Sequence, residues 1–91
     1  MKVVRFSAVW CPSCIVMRSR WEKILQENDL SWLEIEDFDY DQHKGLRAKY
    51  NIGRDIPVFI FFNSQGNEFA RFVGEVDRKE LIKFILENKK S

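Results

Sequence analysis

The residues with the clearest chemical potential are two cysteines, Cys11 and Cys14, which are the only cysteines among the 91 residues. They lie in the segment WCPSC, with Pro12 and Ser13 between them. A pair this close can form a structural disulfide, supply two ligands of a metal site, or exchange electrons as a dithiol–disulfide couple. The rest of the sequence discriminates among these three uses.

The structural and metal-binding uses have weak support. A disulfide stabilises a fold mainly by restricting the unfolded chain, and this effect is small for the very short loop that Cys11 and Cys14 would close. A closed zinc site needs four ligands, and the chain offers two cysteines and one histidine. A metal or an iron–sulfur cluster would need carboxylates or a second chain to complete it. We therefore predict neither a metal nor another cofactor.

The redox use is favoured by the position of the pair. Residues 3–10 are apolar and rich in β-branched side chains, which predicts a strand. Pro12 then begins a stretch without Gly or Pro that predicts a helix as far as residues 28–29. Cys11 lies at this junction, where helix N-terminal amides stabilise a thiolate. Cys14, one turn further in, is expected beneath Cys11 and less exposed. We predict that Cys11 attacks a disulfide and that Cys14 resolves the resulting mixed disulfide.

The remaining elements follow from periodicity and turn residues. They are a strand over 32–38, a short helix over 41–50 with Asp41 as N-cap, a hairpin of strands over 57–62 and 68–73, and a last helix capped by Asp77. The order β-α-β-α-β-β-α predicts one α/β domain over residues 1–91, with a four-stranded mixed sheet and helices on both faces. Strands joined by helices are expected to pair in parallel, and the hairpin strands antiparallel.

Charge and hydropathy exclude several classes of partner. Fifteen Lys and Arg residues against fourteen Asp and Glu residues give a net charge of +1, and the basic residues are scattered. We therefore expect no nucleic-acid partner. No apolar run approaches the ~20 residues that span a bilayer, and no signal-peptide pattern is present at the start. We expect no membrane association and a cytoplasmic location, where a close cysteine pair is more often catalytic or metal-binding than structural.

Four features in register carry a family resemblance. They are the WCPSC motif at a strand-to-helix junction, Asp41 before a short helix, Ile56-Pro57 before a buried strand, and Val73-Gly74 ahead of the last helix. With these features the chain resembles the thioredoxin family over nearly its whole length. The resemblance implies the minimal thioredoxin fold, glutaredoxin-like in size, and a cis peptide bond at Ile56-Pro57. It also implies a substrate groove lined by Trp10, Pro12, Ser13, Ile56, Pro57, Val73 and Gly74.

The sharpest departure from the family pattern is electrostatic. Arg5 stands where thioredoxins keep a buried Asp, and Asp37 stands where they keep a Lys on the neighbouring strand. We hypothesise that Arg5 and Asp37 form the same ion pair with the charges exchanged, because a lone buried charge is costly. The Arg5 guanidinium would then favour the thiolate of Cys14. The alternative is that both side chains are solvated.

The resemblance implies a thiol–disulfide oxidoreductase that reduces protein disulfides. Its partners would be disulfide-containing protein substrates and a thioredoxin-reductase-like electron donor, and we expect a monomer. Two alternatives stay open. One is a binding or assembly module of this fold that bridges a metal or an iron–sulfur cluster without turnover. The other is a dedicated oxidant or glutaredoxin-like enzyme, because Pro12-Ser13 replaces the usual Gly-Pro linker and does not fix the redox potential.

Overall fold

The computed structural model describes residues 1–91 and contains four strands and three helices. In chain order these elements are β1 (Lys2–Ser7), α1 (Pro12–Glu27), β2 (Glu34–Asp39), α2 (Lys44–Lys49), β3 (Val58–Phe62), β4 (Glu68–Val73) and α3 (Arg78–Glu87). The predicted order β-α-β-α-β-β-α is confirmed. No helix is both long enough and apolar enough to cross a membrane.

The strands form one mixed sheet in the order β2-β1-β3-β4. β1 and β2 are parallel, because α1 carries the chain back along the sheet between them. β3 pairs with both β1 and β4 in antiparallel fashion. The central position of β1 places its carboxyl end, from which the cysteine motif follows, in the middle of one edge of the sheet.

The direction of β3 corrects the expectation that helix-joined strands pair in parallel. β2 ends at Asp39, which pairs with Ser7, and β3 begins at Val58, which pairs with Phe6. Both ends therefore lie at the same edge of the sheet. The six-residue helix α2 is about 9 Å long, which is too short to carry the chain along a strand of ~17–20 Å. The connection returns to the edge it left, and β3 runs antiparallel to β1.

Alternate residues of the strands face two separate hydrophobic cores. On one face the strands pack against α1 and α3, with aromatic side chains of β3 and β4 clustered around Phe84. We call this cluster the helix-side core; its buried members are Val3, Met17, Trp21, Ile24, Leu30, Leu33, Phe59, Phe61, Leu81 and Ile85.

The opposite face packs against α2 and the loops around it. Half-buried side chains from these segments, among them Leu46 and Tyr50, cover the strands. We call this cluster the thiol-side core; its buried members are Val4, Phe6, Ala8, Cys11, Cys14, Ile56, Val58 and Ile60. Both cysteines thus belong to a hydrophobic core as well as to the edge of the sheet.

Helix boundaries agree with the sequence-based prediction in α1 and α3 and differ in α2. Asp77 caps α3 as predicted, because its carboxylate accepts hydrogen bonds from the amides of Lys79 and Glu80. The prediction of Asp41 as a cap is wrong. α2 begins after His43, whose side chain makes no capping hydrogen bond, and Asp41 binds elsewhere.

The buried stripe of α1 is narrower than its apolar spacing indicates. Met17, Trp21 and Ile24 are buried together with Cys14, whereas Leu25 is 38% exposed. The buried residues Met17, Trp21 and Ile24 belong to the helix-side core, which includes residues of the strands and of α3.

Candidate active site

Cys11 is the N-cap residue of α1, directly after the turn that ends β1. Its backbone N–H donates to the carbonyl of Ala8 at 3.3 Å, which closes this turn. The Cys11 Sγ accepts a hydrogen bond from the backbone N–H of Cys14 at 3.2 Å. The Cys11 thiol in turn donates to the carbonyl of Ile56 at 3.6 Å. A sulfur in the N-cap position therefore receives the helix amide that stabilises a thiolate.

Cys14 is in a different electrostatic environment. Burial, followed by its hydrogen bond with Cys11, raises the pKa of Cys14 to about 12. The backbone amide of Ala8 and the charge of Arg18 oppose this rise. The two thiols are almost equally buried, at 4% and 3% exposure, so the expected difference in exposure is not observed. The two sulfurs differ in their polar contacts instead.

The loop before β3 lies against the Cys11 sulfur. Its Ile56-Pro57 peptide bond is cis, and both residues are buried. The Pro57 carbonyl accepts a hydrogen bond from the amide of Gly74 at 2.8 Å, which joins the loop to the end of β4. Gly74 has φ +85°, a left-handed conformation that a glycine adopts without strain. The structure therefore brings the cysteine motif, the Ile56-Pro57 loop and the Val73-Gly74 segment together at one edge of the sheet.

Exposed apolar side chains surround this edge. Trp10 is 58% exposed and Val73 is 53% exposed, although both are large hydrophobic residues. Trp10 is held by a hydrogen bond from its Nε1 to the Asp41 carboxylate at 2.7 Å, and its ring packs edge-on against Tyr40. The indole is therefore fixed in an exposed position and is not part of either core.

Ser13, between the two cysteines, is tied to the segment after β4. Its hydroxyl donates to the Glu75 carboxylate at 3.0 Å. Glu75 also lies 3.8 Å from the Arg20 guanidinium, which donates to the carbonyl of Val76 at 2.7 Å. The sequence-based prediction did not include Glu75, although its place directly after Val73-Gly74 was a usable signal.

Arg5 and Asp37 form the ion pair that the sequence suggested. Arg5 Nε donates to Asp37 Oδ1 at 2.6 Å and Arg5 Nη2 donates to Asp37 Oδ2 at 2.8 Å, a bidentate geometry. The guanidinium also lies 5.1 Å from the centre of the Trp21 ring. The expectation that Arg5 is the cation that favours the Cys14 thiolate is not supported, because the cation that lowers the pKa of Cys14 is Arg18.

A cleft of about 230 Å³ lies beside the second cysteine, between α1 and the sheet. Its lining residues are Arg5, Ser7, Cys14, Met17, Arg18, Trp21, Asp37, Pro57 and Phe59. Arg18 was missed at the sequence level. The available signal was its spacing, since residues four apart on a helix lie on the same face.

No group of three or more His, Cys, Asp or Glu side chains is arranged to hold a metal ion. The two cysteines would need ligands from a second chain to bridge a metal or a cluster. The donor set at this edge of the sheet is therefore two thiols with hydrogen-bonding amides and carbonyls around them.

Comparison with known proteins identifies the family. The Thioredoxin family model matches residues 1–87. The chain belongs to the thioredoxin family. Members of this family are in general thiol–disulfide oxidoreductases that act on disulfide-containing proteins.

Individual relatives are distant. The chain is 29% identical over 87 residues to the mouse thioredoxin-related transmembrane protein 4. This alignment covers 96% of the chain and 25% of the mouse protein. Thioredoxin-2 of the malaria parasite, described as a component of its protein secretion machinery, superposes with a TM-score of 0.84 at 22% identity, over 94% of this chain and 81% of that one. Thioredoxin of Trypanosoma brucei brucei superposes with a TM-score of 0.82 at 24% identity, over 99% and 75% of the two chains. The chain thus spans a quarter of the mouse protein, and these two structures share its fold.

Proposed function

We propose that the protein reduces disulfide bonds in protein substrates through a Cys11/Cys14 dithiol–disulfide cycle. The observation that carries this proposal is the unequal environment of the two thiols. The Cys11 sulfur caps α1 and accepts the Cys14 amide hydrogen, whereas burial raises the pKa of Cys14 to about 12. Cys11 is therefore the nucleophile, and Cys14 remains a protonated thiol until the mixed disulfide has formed.

In the first step the Cys11 thiolate attacks one sulfur of the substrate disulfide. A bond forms between Cys11 Sγ and that sulfur, and the substrate S–S bond breaks. The leaving sulfur keeps the electron pair of the broken bond and takes up a proton from solvent. The Cys14 amide donates a hydrogen bond to the attacking thiolate, whereas the Ile56 carbonyl accepts the Cys11 thiol hydrogen only before that proton is lost.

In the second step Cys14 loses its proton and attacks Cys11 Sγ. The Cys11–substrate bond breaks, the second substrate sulfur leaves as a thiolate and is protonated, and a Cys11–Cys14 disulfide remains. The substrate has gained two electrons and two protons. Formation of the mixed disulfide in the first step has already removed the Cys11 thiol that hydrogen-bonds with Cys14, which is one of the causes of the raised pKa of Cys14.

Two exposed apolar side chains at this edge of the sheet, Trp10 and Val73, form what we call the apolar rim, and they offer hydrophobic contact to the substrate. The buried Ile56-Pro57 loop supplies backbone groups beside Cys11. A dithiol donor, such as a thioredoxin-reductase-like flavoenzyme, returns the disulfide to the dithiol. We propose a monomer acting in the cytoplasm. The redox potential against glutathione separates a reductase from an oxidant, and the proposal of a reductase requires a potential more negative than that of the glutathione pool.

The test is reduction of insulin by dithiothreitol, followed by turbidity. We expect the protein to accelerate the reaction and Cys11→Ser to reduce it to the uncatalysed rate. Ser19→Ala serves as the control, because it alters an exposed position of α1 outside the cysteine motif. Full activity of the Cys11→Ser variant would overturn the proposal.

A further inference from the structure

Release of the Cys14 proton is the difficult part of the second step. The pKa of Cys14 is raised by burial, and no carboxylate in the cleft is free to accept its proton. Asp37 is the one carboxylate that lines the cleft, and both of its oxygens accept hydrogen bonds from Arg5. The resolving thiol must therefore be activated by something other than an adjacent carboxylate base.

Charged and titratable groups lie near Cys14 on α1 and its cap, on β1 and on β2. α1 contributes Arg18 and the capping Cys11, β1 contributes Arg5, and β2 contributes Asp37. Pro57 and Phe59, on the β3 side of the cleft, carry no charge. Because Arg5 and Asp37 neutralise each other, Arg18 is the cation whose charge remains uncompensated. It takes part in no salt bridge.

Arg18 and Cys14 also share the same local geometry. They are four residues apart on α1, so their side chains lie on one face of the helix, and both line the cleft. The cleft volume of about 230 Å³ is enough for several water molecules. Ser7 adds a hydroxyl to the lining, which can both donate and accept hydrogen bonds.

We propose that Arg18 is a positioning residue for the second step, which stabilises the Cys14 thiolate as it forms while the adjacent cleft takes the released proton to solvent. The inference rests on the proposed function, because it concerns the thiol that resolves the mixed disulfide. The proton leaves Cys14 for solvent in the cleft, the sulfur keeps the electron pair, and that pair forms the bond to Cys11 Sγ. Arg18 itself gains and loses nothing.

The test is single-turnover reaction of the reduced protein with dithiodipyridine, an uncharged disulfide that releases one absorbing thiopyridone in each step. The first release reports attack by Cys11 and the second reports resolution by Cys14. We expect Arg18→Gln to leave the first release unchanged and to slow the second roughly 2- to 5-fold near neutral pH. This factor corresponds to the loss of one charge interaction at the protein surface. The pH profile of the second release should move to higher pH.

Two further variants make the result specific. Arg18→Lys keeps the charge and should retain the second release, whereas Lys23→Gln removes another exposed α1 cation outside the cleft and should change neither release. An unchanged second release in Arg18→Gln, or an equal slowing in Lys23→Gln, would overturn the role of Arg18. Absence of a Cys11-dependent first release in the wild type would instead refute the proposed function.

Discussion

The two faces of the sheet use hydrophobic burial for different purposes. The helix-side core packs aromatic and aliphatic side chains between the sheet and two helices, and it contains no cysteine. The thiol-side core is smaller, and two of its eight buried members are cysteines. Burial stabilises the fold on the first face, whereas on the second it also raises the pKa of Cys14. Burial thus stabilises the structure on one face, and on the other it also determines which of the two thiols reacts first.

The largest effect that tests this division is expected from the helix-side core. Leu81 and Leu86 lie on the same helix, the first fully buried and the second 48% exposed. Leu81→Ala should lower the free energy of unfolding by about 2–5 kcal/mol, because it leaves a cavity. Leu86→Ala should cost well under ~1 kcal/mol. Both would be measured by urea unfolding.

The rate at which dithiodipyridine reacts with each thiol should be the same in Leu81→Ala as in the wild type under conditions where both are folded. A change in these rates would show that the two cores are not independent in function.

The next effect concerns pH and the thiol-side core. The pKa of Cys14 is raised from 9.0 to about 12 in the folded protein, so folding favours the neutral thiol. Its contribution to stability is complete below pH 9.0 and is lost progressively as the pH rises through about 12. We expect the free energy of unfolding of the reduced protein to fall over this range more steeply than that of Cys14→Ala. Parallel pH profiles for the two proteins would contradict the shift.

A smaller effect is expected at the exposed rim. Val73→Ser removes an apolar contact surface that is 53% exposed and belongs to neither core. We expect KM for insulin to rise roughly 2- to 5-fold, because about 0.5–1 kcal/mol of apolar burial with the substrate is lost. The first release from dithiodipyridine, a molecule too small to span the rim, serves as control and should not change.

The smallest effect is expected for the Arg5–Asp37 pair. The Asp37 side chain is 61% exposed, so solvent screens the interaction despite its bidentate geometry. A double-mutant cycle with Arg5→Leu and Asp37→Asn should give a coupling of about 0.5 kcal/mol that weakens with salt. The double variant Arg5→Leu/Asp37→Asn, which removes both charges together, should leave the pKa of Cys14 unaltered. A rise in that pKa in the double variant would show that Arg5 favours the Cys14 thiolate.

Local patterns in the sequence predicted the cysteine site and the order of elements. The strand before Cys11, the helix after Pro12 and the Asp77 cap depend on residues a few positions apart, and the structure agrees with them. Contacts between distant segments were less accessible. Asp41 reads as a cap by its neighbours, but its partner is Trp10, 31 residues away.

The direction of β3 and the choice between two arginines also depend on tertiary structure. A six-residue α2 limits how far the chain travels, which spacing rules for strand pairing do not take into account. Arg5 was the obvious candidate because it aligns with an acid of the family. Its bidentate contact with Asp37, and the shared cleft of Cys14 and Arg18, appear only once α1 is packed on the sheet.

The most direct test of the account is to trap the mixed disulfide. Cys14→Ser and Cys11→Ser variants would each be reacted with insulin, and covalent adducts located by mass spectrometry of peptides. We predict that Cys14→Ser accumulates an adduct through Cys11 and that Cys11→Ser accumulates none. An adduct through Cys14, or the absence of any adduct in Cys14→Ser, would contradict the assignment of Cys11 as the attacking thiol.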